Sequence, residues 1–172
     1  LDTLGEMTRR FNNRDDLLFR FIGDGDYRYY LENLENENKN IEVMGPVKRK
    51  EVPYYLNQTD ICMLAINPSG AVRGSLPNKL FDYIKAGVPV VVSDLPEMGD
   101  FVRKTETGIT VDPEIESEEF ADKINKLLSN KEAYNKYAQN CIKAGEIYTW
   151  EKESLKELEV FRTIAELSKI NS

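Results

Sequence analysis

The chain has 172 residues, 41% of them hydrophobic and 31% charged, a balance that excludes disordered and collagen-like chains and fits one domain or one piece of a larger enzyme. Lys and Arg total 23 against 30 Asp and Glu, giving a net charge of −7. So acidic a chain lacks the electrostatic footprint of a general nucleic-acid binder, and an anionic ligand has to be held by a local cluster of donors. No run approaches the ~20 consecutive apolar residues of a membrane helix, and with no His in the chain it carries no imidazole triad, metal ligand or acid/base.

Leu1-Asp2-Thr3 carries no basic-then-apolar secretory pattern, and the absence of an initiator Met leads us to expect an excised fragment. Leu4, Met7 and Phe11 recur at helical spacing, so residues 1–11 read as a helix. Residues 17–22 form a strand-length apolar run stopped by Gly23-Asp24-Gly25-Asp26, and Tyr27, Tyr30, Leu31 and Leu34 resume helical spacing. The Asn/Glu-rich stretch from Glu35 to Asn40 reads as a solvated loop.

A second strand, residues 41–44, ends at Gly45-Pro46, and a short helix is expected from Lys50 to Asn57. Residues 61–66 are apolar throughout, as in a parallel strand covered on both faces. Cys62 falls in this run and reads as a small buried side chain. With Cys141 far away, no disulfide scaffold is expected, and a reducing cytoplasm fits. A loop of turn-formers leads to a helix from Pro77 to Lys85, ended near Gly87. Strands follow at 89–92 and 108–111 around a helix near Glu97–Arg103, and the rest is helical: 117–128, starting from Ser117 as cap, 131–147 and 149 to about 167. Short apolar strands alternating with helical patterns predict parallel βαβ units in a doubly wound α/β sheet with helices on both faces.

In such sheets ligands bind at the carboxyl ends of the strands. Gly23-Asp24-Gly25-Asp26 is either a tight turn with Asp26 capping the next helix, a close backbone approach to a ligand, or an Asp24/Asp26 metal clamp. Gly45-Pro46-Val47 has no reactive side chain and offers only backbone groups to a planar base. The strongest candidate is Arg73-Gly74-Ser75-Leu76-Pro77-Asn78-Lys79-Leu80-Phe81-Asp82, a loop entering a helix N-terminus. Its unpaired N–H groups and Lys79 suit a phosphate, and Asp82, one turn on, suits ribose hydroxyls. The competing reading is a surface helix with Lys79 and Asp82 paired in water.

Taken in order, the Gly23-Asp24-Gly25 and Gly45-Pro46-Val47 loops, Asp60 to Leu64, Pro77 to Val91, Ser93-Asp94, Thr107-Gly108-Ile109 and Thr149-Trp150-Glu151 resemble the C-terminal, donor-binding domain of the GT-B glycosyltransferases, in particular retaining glycosyltransferase family 4. The resemblance spans nearly all of 1–172 and implies a Rossmann-like domain that binds a UDP- or GDP-linked nucleotide-diphospho-sugar. It places Gly23, Asp24, Gly25, Gly45, Pro46 and Val47 beside the nucleotide. Asp82 matches the second acid of the family's E-x7-E pair, the one that holds the ribose. The first acid falls on Gly74, a departure at the sugar. Asn78 and Lys79 face the diphosphate, with Arg73 as a helper and with Gly74 and Pro77 in the same substrate-binding stretch. Lys79 and Asp82 are the expected catalytic-site pair, with no cofactor or metal needed if cations neutralise the leaving group.

The family's first strand, its basic phosphate-binding loop and the whole N-terminal acceptor domain are expected to be missing. The missing strand belongs between the first and third strands here, leaving a gap, a direct closure or a borrowed strand. The implied parent is a cytoplasmic enzyme, peripherally associated with the membrane, that transfers a hexosyl unit to an acceptor hydroxyl in polysaccharide, glycolipid or glycoprotein assembly. The alternatives are another GT-B enzyme, such as a nucleotide-sugar 2-epimerase, and a non-catalytic Rossmann-type domain.

Overall fold

The computed structural model describes residues 2–66 and 74–170. After α1 (Asp2–Arg9), the strands β1 (Phe19–Ile22) and β2 (Ile41–Met44) flank α2 (Arg28–Glu37) and pair in parallel, Phe19 opposite Ile41 and Ile22 opposite Met44. A single 3-10 turn (Arg49–Glu51) and α3 (Val52–Leu56) lead to β3 (Cys62–Leu64). Then come α4 (Asn78–Lys85), β4 (Val90–Ser93), α5 (Pro96–Thr105) and β5 (Gly108–Val111), with strand order β3-β4-β5, again parallel. Helices α6 (Ser117–Ser129), α7 (Lys131–Ile147) and α8 (Trp150–Ile170) follow.

No ladder joins β1 to β3. Residues Leu17–Ile22 and Asp60–Met63 instead face one another across a cavity of about 660 Å³. The layout is β2-β1, an open slot, then β3-β4-β5. A doubly wound sheet of order 3-2-1-4-5-6 without its first strand has this arrangement. Of the three outcomes open to the sequence reading, the gap is the one found.

The sheet is covered on both faces because its strands alternate between two apolar cores. In β4, Val91 packs with Met7, Phe11, Leu34, Phe120 and Ile124, under α1, α2 and α6. Its neighbours Val90 and Val92 pack with Leu80, Ile84, Met98, Val102 and Cys141, under α4, α5 and α7. All three valines are at most 1% exposed, and burial of each stabilises the fold by about 1.5–3 kcal/mol. The outer edge of β2 is blunted by Glu35, whose carboxylate accepts from the Val43 N–H at 2.9 Å.

Several boundaries differ from the sequence reading. The stretch from Glu35 is not a solvated loop: α2 runs on to Glu37, and Asn38 and Asn40 are buried. Their side-chain amides donate to the Leu34 and Phe11 carbonyls at 2.6 and 2.9 Å, which lets polar residues close the helix inside the core. β3 ends at Leu64 rather than residue 66, because the Ile66 N–H is taken by the Ser93 hydroxyl at 2.9 Å instead of a ladder partner. Neither expected cap forms. Tyr27, already helical at φ −88° and ψ 0°, precedes α2 in place of Asp26, and Ser117 lies inside α6 after an extended Glu116.

Candidate functional site

The cavity between β1 and β3 has both apolar and polar walls. Phe19, Phe21, Ile61, Met63, Ile124 and Leu128 line it, together with Asp16, Gln58, Thr59 and Asp60, which precede β1 and β3 in the chain. Its lining also includes Val47, Arg49, Lys79, Asp82 and Tyr83, from the turn after β2 and from α4. This polar part lies where a doubly wound sheet takes its ligands, at the carboxyl ends of the strands.

Helix α4 is set by Leu80 and Ile84, four residues apart and at most 1% exposed. That seating turns Lys79 and Asp82, three apart, toward the cavity. The helix starts after Pro77, which is extended at φ −64° and ψ 137°, and no side chain caps its first turn. The Leu80 N–H turns back to the Pro77 carbonyl at 2.9 Å, and the Asn78 and Lys79 N–H groups, without intrahelical partners, are left for solvent or ligand at the positive end of the helix dipole.

Lys79 and Asp82 do not pair with each other. Asp82 Oδ1 accepts from Arg49 Nη2 at 2.8 Å, and Lys79 has no acidic partner among the described residues. The reading of α4 as a plain surface helix closed by a Lys79–Asp82 ion pair is thereby overturned. Arg49 reaches from another element to take the carboxylate, and Lys79 stays available. Burial pushes the neighbouring Tyr83 phenol up to about 12, helped by the nearby Cys62 and Asp82. It stands protonated at the cavity wall.

The Gly23-Asp24-Gly25 loop leaves β1 with Gly23 at φ +143° and Gly25 at φ +153°, conformations that favour glycine, and a Cβ at either would meet nothing within 4 Å. The loop thus presents open backbone. Asp24 is turned back on it, accepting from the Gly25 N–H at 3.0 Å, with Arg28 Nη1 at 3.8 Å. Among the described residues no group of three acidic or thiol side chains converges on a metal position. The same Arg28 Nη1 would lie 3.6 Å from a Cβ on Gly45, so one guanidinium links the two loops.

Of the residues singled out from sequence, Val47, Lys79 and Asp82 share the cavity wall, while Gly23, Asp24, Gly25, Gly45, Pro46, Gly74, Pro77 and Asn78 lie outside its lining. Gly74 is exposed, and a Cβ there would meet nothing within 4 Å. Arg73 lies outside the described residues. The sequence reading missed Arg49 and Arg28. The run Lys48-Arg49-Lys50 directly after Val47, a basic cluster at a strand's carboxyl end in an acidic chain, was the available signal.

The model of the glycosyl transferases group 1 family matches residues 1–145. The chain belongs to that family. Over 57 residues it is 39% identical to TuaH of Bacillus subtilis (strain 168), named as a teichuronic acid biosynthesis glycosyltransferase; the match spans 33% of this chain and 14% of that protein. A glycosyltransferase from Rickettsia africae superposes with a TM-score of 0.77 at 18% identity, over 95% of this chain and 44% of that one. The pneumococcal O-GlcNAc transferase GtfA, solved with UDP and GlcNAc, superposes with a TM-score of 0.70 at 18% identity, over 96% and 32%. The fold is that of the GT-B glycosyltransferases, and the chain is a glycosyltransferase donor-binding domain that spans less than half the length of these relatives. Among the described residues no helix is long and apolar enough to cross a membrane.

Proposed function

We propose that the chain is the donor half of an enzyme that moves a hexosyl unit from a UDP- or GDP-linked sugar to an acceptor hydroxyl in polysaccharide or glycoconjugate assembly. The observation that carries this reading is the cationic Lys79, without an acidic partner, beside the uncapped start of α4 and one turn from Asp82 on a shared cavity wall. Lys79 and the α4 N–H groups hold the diphosphate and stabilise the charge that develops as it departs. Asp82 accepts from the ribose, and the open backbone of Gly23–Gly25 and Gly45–Val47 borders the base, which explains why no side chain announces base identity. Arg73, Gly74, Pro77 and Asn78 belong to the stretch that leads into this cradle. No metal is required where cations and helix N–H groups neutralise the leaving group. A retaining outcome is part of the reading, as is a cytoplasmic location at the membrane face.

The slot between β1 and β3 suits one more parallel strand, apolar on both faces, with the acceptor domain across its carboxyl end. Support comes from the strand order and from the two unpaired strand edges. Gly74, which offers no acid to a sugar, favours a second reading, a nucleotide-binding domain without turnover. Assaying the full-length protein against a panel of UDP- and GDP-sugars separates the two. Transfer or donor hydrolysis supports the enzyme, and tight diphosphate binding with neither supports the second reading.

A further inference from the structure

We propose that Arg49 is a positioning residue that orients the Asp82 carboxylate and so sets how strictly the site demands a ribose. This rests on the reading of Asp82 as ribose acceptor.

Lys79, three residues from Asp82 on the same helix, forms no ion pair with it, and Arg49 does. The guanidinium comes from a separate element, the turn Arg49–Glu51. That turn is itself fixed. The Glu51 carboxylate accepts from the Lys48 N–H at 2.9 Å, and the Glu51 N–H donates to the Lys48 carbonyl at 2.8 Å. The residue before Lys48 is Val47, on the same cavity wall. Arg49 therefore ties the loop after β2 to the second turn of α4.

The pair is uneven: the Arg49 side chain is 78% exposed and that of Asp82 26%. The half-buried partner is the one whose direction matters to a ligand in the cavity. With Oδ1 engaged by Arg49, Oδ2 has no described partner and is the oxygen left to accept. A planar guanidinium fixes a carboxylate plane better than a flexible ammonium does. Without Arg49, Asp82 turns freely about its terminal torsion, which is broad and roughly two-fold, and hydroxyl recognition blurs. A dideoxynucleotide has no hydroxyl for Asp82 to meet, so it does not sense the change.

The test is calorimetric titration of the full-length protein with uridine and guanosine diphosphates and their 2′,3′-dideoxy counterparts. The expected result is that Arg49→Ala lowers the ribo-to-dideoxy affinity ratio by about tenfold while dideoxy affinity stays within about twofold. Arg49→Lys restores part of the ratio. Asp82→Ala abolishes the ratio, and adding Arg49→Ala to it changes nothing further, since Arg49 acts through Asp82. An equal loss for ribo and dideoxy ligands, an unchanged ratio, or an additive double variant overturns the proposal. A wild-type protein with no ribose preference, or an Asp82→Ala variant that keeps one, overturns the reading of Asp82 itself and this inference with it.

Discussion

Gly108, the first residue of β5, lies opposite Val90 in β4 so closely that a Cβ on Gly108 would fall on the Val90 carbonyl. The contact is with backbone, which cannot swing aside. Gly108→Ala should therefore push the strands apart where β5 begins and cost about 1–3 kcal/mol, as overpacking does elsewhere. A urea titration followed by far-UV circular dichroism should show a lower midpoint with an unchanged slope.

Asn40 closes the turn between α2 and β2 from inside the core, its amide on the Phe11 carbonyl at 2.9 Å. Replacing it with Ala removes this buried bond while the Phe11 carbonyl keeps the Arg14 N–H at 2.8 Å, a loss of about 0.5–1.5 kcal/mol. Thermal unfolding of Asn40→Ala should show a clear drop in Tm, whereas Lys39→Ala, on the exposed surface, should leave Tm nearly unchanged.

Burial pushes the Cys62 and Cys141 thiols up from 9.0 to about 12. Between those values the folded chain keeps protons that the unfolded chain releases, so rising pH favours unfolding. The contribution of the neutral thiols is complete below pH 9 and is lost toward pH 12. The urea midpoint should fall between about pH 8 and about pH 10.5, and Cys141→Ala should make that fall shallower. In the folded protein at pH 8 both thiols should resist a disulfide reagent until denaturant is added.

How far the residues alone led depends on what each feature needs. Apolar runs behind turn-formers, such as the valines at 90–92 after Gly87-Val88-Pro89, announce strands because burial on both faces requires uniform apolarity. Helix α7, residues 131–147, was legible to its ends because Asn130 caps it through its own side chain, accepting from the Ala133 N–H at 3.0 Å. The buried asparagines were not legible: Asn38 turns back on Leu34 of its own helix, and Asn40 meets the Phe11 carbonyl, 29 residues away, only once the chain has folded. Nor was the partner of Asp82. Local spacing pointed to Lys79, and only the fold brings Arg49, 33 residues away, to 2.8 Å. The group 1 glycosyltransferase assignment came through because it rests on the order of loops along the chain, which folding does not alter.

If the chain is the donor half proposed above, it should transfer no sugar by itself. Incubating the 172 residues with UDP- or GDP-sugars and an acceptor extract should yield no labelled product, whereas the full-length protein should. Steady transfer by the isolated chain would show that the acceptor-binding surface lies within it.

The central claim is that Lys79 meets the diphosphate and Asp82 the ribose. It is tested most directly by measuring nucleoside and nucleoside diphosphate affinities, for uridine and guanosine, on Lys79→Ala and Asp82→Ala forms of the full-length protein. Lys79→Ala should weaken diphosphate binding by roughly tenfold to a hundredfold, the scale of a charge-assisted hydrogen bond, and leave nucleoside binding unchanged. Asp82→Ala should weaken both ligands together. If both variants lose nucleoside and diphosphate affinity in the same proportion, the division of roles between these two residues is wrong.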